Sequence, residues 1–167
     1  DRGDPPGLAP MSVSVDRLTV HYPGRAASAL TDVSLAGADG EIVGVTGRTG
    51  AGKSTLALAL AGFIPRVVRA TTTGSVTVDG VDALASDANA LLGRCGIVFS
   101  SPADQLSGSK LTVREELAFG LENLGVPRAE MDPRIDVVMG RLRIAHLSTR
   151  DPGTLSGGEQ QRAAIAG

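Results

Sequence analysis

The most constraining feature of the sequence is a short glycine-rich segment between two largely apolar runs. Residues 47–55 read Gly-Arg-Thr-Gly-Ala-Gly-Lys-Ser-Thr. The segment before it, Glu41–Thr46, has the core Ile-Val-Gly-Val, which is apolar on both faces as in a buried central strand. The residues that follow, from Lys53 to about Ala61, are typical of a helix. The pattern predicts a strand, a tight turn and a helix, which is a building unit of α/β folds.

The glycine-rich segment matches G-x-x-x-x-G-K-[ST], the Walker A pattern, with Gly47, Gly52, Lys53 and Ser54 at the fixed positions. Glycines let the backbone curl so that successive N–H groups point at a phosphate. The helix that begins at Lys53 adds the positive end of its dipole. A chance match is the alternative in a chain with 22 glycines, but the flanking strand and helix patterns argue against it.

The Walker A chemistry assigns a role to each residue type. Lys53 supplies a cation to the β- and γ-phosphates, and the Ser54 hydroxyl is a ligand for Mg²⁺. The sequence therefore predicts a site for a nucleoside triphosphate with Mg²⁺, in which Lys53 is also the catalytic residue. The residues predicted to contact the nucleotide here are Gly47, Arg48, Thr49, Gly50, Ala51, Gly52, Lys53, Ser54 and Thr55.

A second motif, Leu-Ser-Gly-Gly-Glu-Gln-Gln-Arg, covers residues 155–162. Ser156 and Glu159 form a capping box, so the simplest interpretation is the start of a helix. Two glycines in a first turn weaken a helix for no local gain. Their presence is explained if a ligand must approach the backbone closely. A serine hydroxyl and bare N–H groups at a helix N-terminus form an anion site. Two phosphate sites so far apart in one chain suggest a nucleotide shared between two domains.

Together with the Walker A segment, Leu155–Arg162 resembles the signature motif of ATP-binding-cassette (ABC) proteins, and the resemblance extends over nearly the whole chain from about Val13. It implies ATP and Mg²⁺ as cofactors. Tyr22 resembles the aromatic residue that stacks on adenine; an ordinary aromatic residue at a strand end is the alternative. The signature residues implied to contact ATP are Leu155, Ser156, Gly157, Gly158, Glu159 and Gln160.

A narrower resemblance lies in residues 98–106 and 112–127, which look like energy-coupling-factor ATPases, the family that drives uptake of vitamins or of nickel and cobalt ions. It implies an ATPase subunit of an importer, docked on transmembrane subunits through the segment around residues 100–125. It also implies a second ABC ATPase domain, identical or different, separate or fused. The expected location is the cytoplasmic face of the cell membrane, as a peripheral subunit.

Two departures from the family pattern affect catalysis. Ser100 occupies the position where the family usually has a glutamine that contacts Mg²⁺, and its hydroxyl has a shorter reach. Gln105 matches a different family position and is not a simple substitute. The chain also stops at Gly167, before the Walker B strand and the catalytic glutamate of the family. We therefore expect a C-terminally incomplete cassette that is inactive by itself.

The expected fold is an α/β P-loop ABC cassette with a small antiparallel β subdomain and a helical subdomain at about residues 100–155, within a partial domain over residues 12–167. Residues 1–11, with three prolines, are expected to be a disordered tail or linker. The longest apolar run, Leu56–Ile64, is too short to span a membrane. A net charge of −2 gives no sign of a nucleic-acid-binding face.

Local patterns predict further elements. Strands are expected at 13–20, 29–35, 75–78 and 96–99. Thr112 and Glu115 predict a capping box, and Asp132-Pro133 predicts the start of a helix with Ile135 and Met139 on one face.

Three other functions stay open: a soluble cassette protein acting on DNA or ribosomes, a P-loop kinase, and a degenerate cassette that only binds ATP.

Overall fold

A computed structural model describes residues 13–85 and 88–167 of the chain. The tail predicted at residues 1–11 lies outside the described residues. The chain divides into two compact units, the first ending at Ile97 and the second covering Val98–Gly167. Each unit has its own hydrophobic core, and each is described by itself.

The first unit is built on an antiparallel sheet of four strands in the order β2-β1-β3-β4. The strands are β1 at Val13–His21, β2 at Leu30–Gly37, β3 at Thr71–Val78 and β4 at Val81–Asp82. β1 pairs with both β2 and β3. The strands predicted at 13–20, 29–35 and 75–78 are thereby confirmed, and the sheet is the predicted antiparallel β part.

A bulge in β1 explains why its sequence alternates only in part. Arg17 has φ 46°, and the register with both neighbouring strands shifts around it. Val15 and Leu18 are both buried although they are three residues apart, because the bulge turns one extra residue outward. Gly74 allows the bulge, since a Cβ there would lie 2.4 Å from the Arg17 carbonyl oxygen.

Helix α1, Lys53–Leu60, packs on this sheet and ends close to where the sequence predicts. Leu56 and Ala59 face the core, and Lys53 and Ser54 lie in its first turn. The helix therefore fixes the Walker A residues to the sheet. The buried residues of this core are Val15, Leu18, Val20, Leu30, Leu56, Ala59, Ile64, Val76, Val78, Ala83 and Leu91.

The strands predicted at Glu41–Thr46 and Gly96–Phe99 are wrong for this structure, which has neither segment in a sheet. Ile42 is 96% exposed, and Val43 and Val45 are about half exposed. Val98 and Phe99 are also exposed. A strand forms only where its N–H and C=O groups meet a partner strand, and within the described ranges neither segment is paired with one.

The second unit is helical. Its helices are α2 at Val113–Asn123, α3 at Arg128–Arg141 and α4 at Gly157–Ala166. The predicted capping box starts α2: Glu115 N–H donates to Thr112 Oγ1, and Thr112 N–H donates to the Glu115 carboxylate. The buried residues of this core are Val113, Leu117, Ile135, Met139, Ile144, Leu147, Leu155 and Ala163.

Helix α3 begins five residues before the predicted start at Pro133, which lies inside the helix. Pro127 stands at its N-cap and ends the preceding segment with an extended backbone. Arg114 pairs with both Asp132 and Asp136, which holds this turn in helical geometry despite the hydrogen bond that proline cannot donate. The predicted apolar face is correct, because Ile135 and Met139 are buried. Along the described ranges no helix has the length and apolar character needed to cross a membrane.

Candidate functional site

A cavity of about 360 Å³ in the first unit gathers residues from the segment between β1 and β2, the glycine-rich loop and the first turn of α1. It contains Tyr22 and most of the Walker A residues, which the chain brings together from segments about thirty positions apart. Ala29 also contributes, and nothing in the sequence marked it. The lining residues are Tyr22, Ala29, Thr49, Gly50, Gly52, Lys53, Ser54 and Thr55.

The loop takes its shape from glycines in the left-handed region. Gly50 has φ 84° and Gly52 has φ 88°. Gly52 is needed for space as well, because a Cβ would lie 2.4 Å from the Ala29 carbonyl oxygen and 2.5 Å from Leu30 Cδ2. The loop therefore lies directly against the start of β2, a contact that accounts for Ala29 in the cavity wall.

The ammonium group of Lys53 folds back over this loop. Its Nζ donates to the Gly47 carbonyl oxygen at 2.8 Å and to the Arg48 carbonyl oxygen at 2.9 Å. An ammonium group has three N–H donors, so one is left to face the cavity. Ala51 N–H donates to the Arg48 carbonyl at 3.1 Å and closes the turn. Ser54 is exposed, and its hydroxyl is open to a ligand.

Tyr22 is attached to α1 through its hydroxyl group. Tyr22 Oη donates to Thr55 Oγ1 at 3.2 Å, and Thr55 is buried. The contact holds the aromatic ring at the edge of the cavity, next to the loop. This hydrogen bond could not be foreseen, since it joins residues 33 positions apart.

Ser100, the predicted Mg²⁺ contact, lies in the second unit and is exposed. Gln105 is bonded nearby: its side-chain oxygen accepts a hydrogen bond from Phe99 N–H at 3.0 Å. The Gln105 side chain therefore holds the backbone beside Ser100 in place. The described residues contain no group of three or more His, Cys, Asp or Glu that could hold a metal.

The signature residues surround the start of α4. Ser156 is the N-cap, and its N–H and hydroxyl both donate to Glu159 Oε2 at 2.7 Å. The Leu155 side chain is buried in the core of the unit and anchors the motif. A Cβ on Gly157 or Gly158 would meet no atom within 4 Å, so packing inside the chain does not require glycine at either position. The Gln160 N–H continues the helix by donating to the Ser156 carbonyl.

The Glu159 carboxylate has a well-defined electrostatic environment. The hydrogen bonds from the Ser156 hydroxyl and N–H lower the pKa of Glu159, and the charges of Arg150 and Arg162 add to the effect. Arg150 Nη1 lies 3.6 Å from Glu159 Oε1. No sequence pattern indicates this ion pair, because Arg150 comes before the motif. Elsewhere, burial raises the pKa of the Cys95 thiol.

Comparison with known proteins places this geometry in a family. The chain matches the ABC transporter family over residues 30–167. It is 40% identical to the energy-coupling factor transporter ATP-binding protein EcfA1 of Levilactobacillus brevis, over 93% of this chain and 53% of that protein. EcfA1 of Lacticaseibacillus paracasei is 41% identical over the same shares. The chain thus spans about half the length of the curated relatives it matches.

Solved structures show the same fold. The structure of cbiO1 from Clostridium perfringens, part of the ABC transporter complex cbiONQ, matches with a TM-score of 0.77 and 29% identity, over 92% of this chain and 59% of that one. The ATP-binding cassette MJ0796, a dimer in a post-hydrolysis state bound to ADP and Pi, matches with a TM-score of 0.74 and 27% identity, over 92% of this chain and 67% of that one. The chain belongs to the ABC transporter family and has the α/β fold of its ATPase cassettes.

Proposed function

We propose that this chain is the ATP-binding part of an ABC ATPase that powers an importer of the energy-coupling-factor type. The cavity that joins Tyr22 to the glycine-rich loop is the observation that carries the proposal. It combines an aromatic ring with the loop N–H groups, Lys53 and the Ser54 hydroxyl. These are the groups that an adenine base, a triphosphate and its cation require.

The residues fit ATP in specific roles. Adenine would stack on Tyr22, and the phosphates would lie along Gly47–Thr55 with Lys53 Nζ on the β- and γ-phosphates. The Ser54 hydroxyl would hold Mg²⁺, and the family pattern makes Ser100 a further candidate for contacting that cation through water. When bound, that cation neutralises charge on the phosphates. The carboxylates that complete such a site in the family are not gathered in the described residues.

The signature residues would bind the ATP held by a second cassette, identical to this one or different, separate or fused. The open space around Gly157 and Gly158 supports this, because it leaves their backbone accessible to a phosphate. Ser156, Glu159 and Gln160 lie in the same turn, where the helix dipole favours an anion. Leu155 would contribute by anchoring the turn.

Transmembrane subunits would dock against residues 100–125 and hold the ATPase at the cytoplasmic face of the membrane as a peripheral subunit. Exposed apolar side chains in this segment support the proposal: Leu111 is 80% exposed, and Phe119 and Leu124 are also exposed. Apolar groups of this kind, among charged neighbours, are suited to a protein partner. The named relatives are transporter ATP-binding proteins, which favours this function over a soluble cassette or a kinase.

A direct test compares Lys53→Ala with Arg141→Ala in the complete protein encoded by the gene. Both changes remove one positive charge, but Arg141 is exposed at the end of α3 in the second unit. We expect Lys53→Ala to lose tight Mg-ATP binding and ATP turnover, and Arg141→Ala to keep both. Titration calorimetry and phosphate release measure the two quantities.

Retained affinity and turnover in Lys53→Ala would contradict the proposed site. Specific ATP binding without turnover in the wild-type protein, assembled with its partners, would instead favour the degenerate cassette, for which Ser100 is the motivating residue. Co-purification with integral membrane proteins separates a transporter subunit from a soluble cassette.

A further inference from the structure

The carboxylate of Glu159 holds the hydroxyl group of Ser156 at the start of α4. Ser156 Oγ donates to Glu159 Oε2 at 2.7 Å, and the Ser156 N–H donates to the same oxygen at 2.7 Å. A serine hydroxyl carries a single proton. The bond to Glu159 therefore takes the only proton that Ser156 Oγ can donate.

Arg150 holds the other oxygen of the same carboxylate. Its Nη1 lies 3.6 Å from Glu159 Oε1, and its Nη2 donates to the Thr154 carbonyl oxygen at 2.8 Å. Arg150 thus joins the carboxylate to the segment just before Ser156. Since both oxygens face donors, Glu159 is a stable anion in this position.

We infer that Glu159 is a positioning residue that withholds the Ser156 hydroxyl proton from a bound phosphate and so weakens ATP binding at the signature turn. The inference rests on the proposed function, in which this turn meets the γ-phosphate. A carboxylate and a phosphate are both strong hydrogen-bond acceptors. They compete for one proton, and their negative charges repel each other across the exposed turn.

A glutamine at this position would behave differently. In the structure a single oxygen, Glu159 Oε2, accepts both the Ser156 N–H and the Ser156 hydroxyl. An amide oxygen in its place is neutral and is therefore a weaker acceptor for that hydroxyl than a carboxylate oxygen. The charged phosphate would then be the stronger acceptor, and the Ser156 hydroxyl would turn its proton toward it. The amide also carries no charge to repel the phosphate. Glutamate at position 159 therefore lowers the affinity of the signature turn for ATP while it keeps the helix capped.

The test uses Glu159→Gln in the complete protein, with Glu130→Gln as the matched control. Glu130 is also the third residue of a helix and also pairs with an arginine, Arg134. We expect Glu159→Gln to lower the ATP concentration for half-maximal turnover about three- to ten-fold, the range set by one hydrogen bond. Glu130→Gln should leave it unchanged. Glu159→Ala, which also frees the hydroxyl, is the second variant.

Thermal unfolding separates this role from a purely structural one. Losing the charged cap should leave Glu159→Gln no more stable than the wild type, while its ATP affinity rises. A structural role alone would move both quantities down together. In a Ser156→Ala background the gain from Glu159→Gln should shrink to the part that comes from removing the repelling charge, because no hydroxyl remains to be released.

Two results would overturn the inference in distinguishable ways. If Ser156→Ala weakens ATP-dependent turnover but Glu159→Gln and Glu159→Ala give no gain, Glu159 is only a helix cap and the proposed function stands. If Ser156→Ala has the same ATP-dependent turnover as the wild type while Lys53→Ala abolishes ATP binding, the signature turn does not contact the phosphate. The inference and that part of the proposed function then both fail.

Discussion

Tyr22 Oη donates a hydrogen bond to Thr55 Oγ1 at 3.2 Å, which connects the residue just after β1 to the first turn of α1. The same ring lines the cavity proposed for ATP. The tyrosine therefore has two separable parts, a hydroxyl that supports the fold and a ring that faces the ligand.

Substitutions at Tyr22 should separate these parts. Tyr22→Phe removes the hydrogen bond and should lower the free energy of unfolding by about 0.5–1.5 kcal/mol, with ATP affinity nearly unchanged. Tyr22→Ala also removes the stacking surface and should weaken ATP binding by about 1–3 kcal/mol. Denaturant unfolding and ATP titration measure the two effects. Equal losses of ATP affinity in both variants would show that the hydroxyl, not the ring, contacts the nucleotide.

The glycines of the two motifs should respond in opposite ways to alanine. Gly52 has φ 88° and no room for a Cβ, so Gly52→Ala should lower the free energy of unfolding of the first unit by about 1–3 kcal/mol. Gly157 has open space, and alanine is the better helix residue. Gly157→Ala should therefore leave the unfolding midpoint unchanged or raise it, yet weaken ATP-dependent turnover by blocking the approach to the backbone. A stable, fully active Gly157→Ala protein would argue against the signature contact.

Local signals account for the parts of the fold that the sequence predicts well. Capping boxes at Thr112 and Ser156 need only residues three positions apart, and both are confirmed. The Walker A turn follows from its glycines. The segment Glu41–Thr46 cannot be predicted from local signals in this way. Its apolar pattern indicates that the segment can be buried, but it does not indicate which strand will pair with it. Pairing depends on partners distant in sequence.

The site shows the same division between local and distant contacts. The residue types of the glycine-rich loop are enough to predict a phosphate-binding loop, and the cavity includes most of the loop residues. Ala29 joins the cavity wall only because Gly52 packs against it. Arg150 reaches Glu159 through the fold of the segment before α4. No sequence pattern encodes either contact.

The buried carboxylate of Glu116 should matter for stability. It accepts hydrogen bonds from the Ser107 N–H at 2.5 Å and the Ser107 hydroxyl at 2.8 Å, and so attaches the loop before α2 to that helix. Glu116→Ala leaves the Ser107 N–H without its acceptor and should cost about 1–3 kcal/mol. Ser107→Ala removes only the hydroxyl bond and should cost less. Denaturant unfolding ranks the two variants, and a larger loss in Ser107→Ala would contradict this account.

The capping of α4 should depend on pH through Glu159. Its pKa is lowered in the folded chain, chiefly by the hydrogen bond from the Ser156 hydroxyl. The stabilisation is therefore complete above the unfolded pKa of about 4.3 and is lost as the pH falls through the lower, folded value. The stability difference between the wild type and Glu159→Gln should shrink over that acidic window. Unfolding curves at neutral and acidic pH measure it, and a constant difference would contradict the assignment.

Ile42 provides the last prediction, which concerns the behaviour of the 167-residue chain itself. Ile42 is 96% exposed in a segment of β-branched residues that forms no strand in the structure. An exposed apolar segment of high β-propensity favours pairing between chains. We expect the chain to self-associate, and Ile42→Thr to reduce this association while changing the free energy of unfolding by less than about 0.5 kcal/mol.

Val15→Thr is the matched control for Ile42→Thr, because Val15 is only 3% exposed, within the core of the sheet. Burying its hydroxyl should cost about 1–3 kcal/mol, and the partly unfolded chains should associate more, not less. Sedimentation velocity measures the association, and denaturant unfolding measures stability. If Ile42→Thr associates as strongly as the wild type at equal stability, another surface drives the association. The exposed segment at residues 41–46 then does not mediate the association, and Val98 and Phe99 are the next residues to replace.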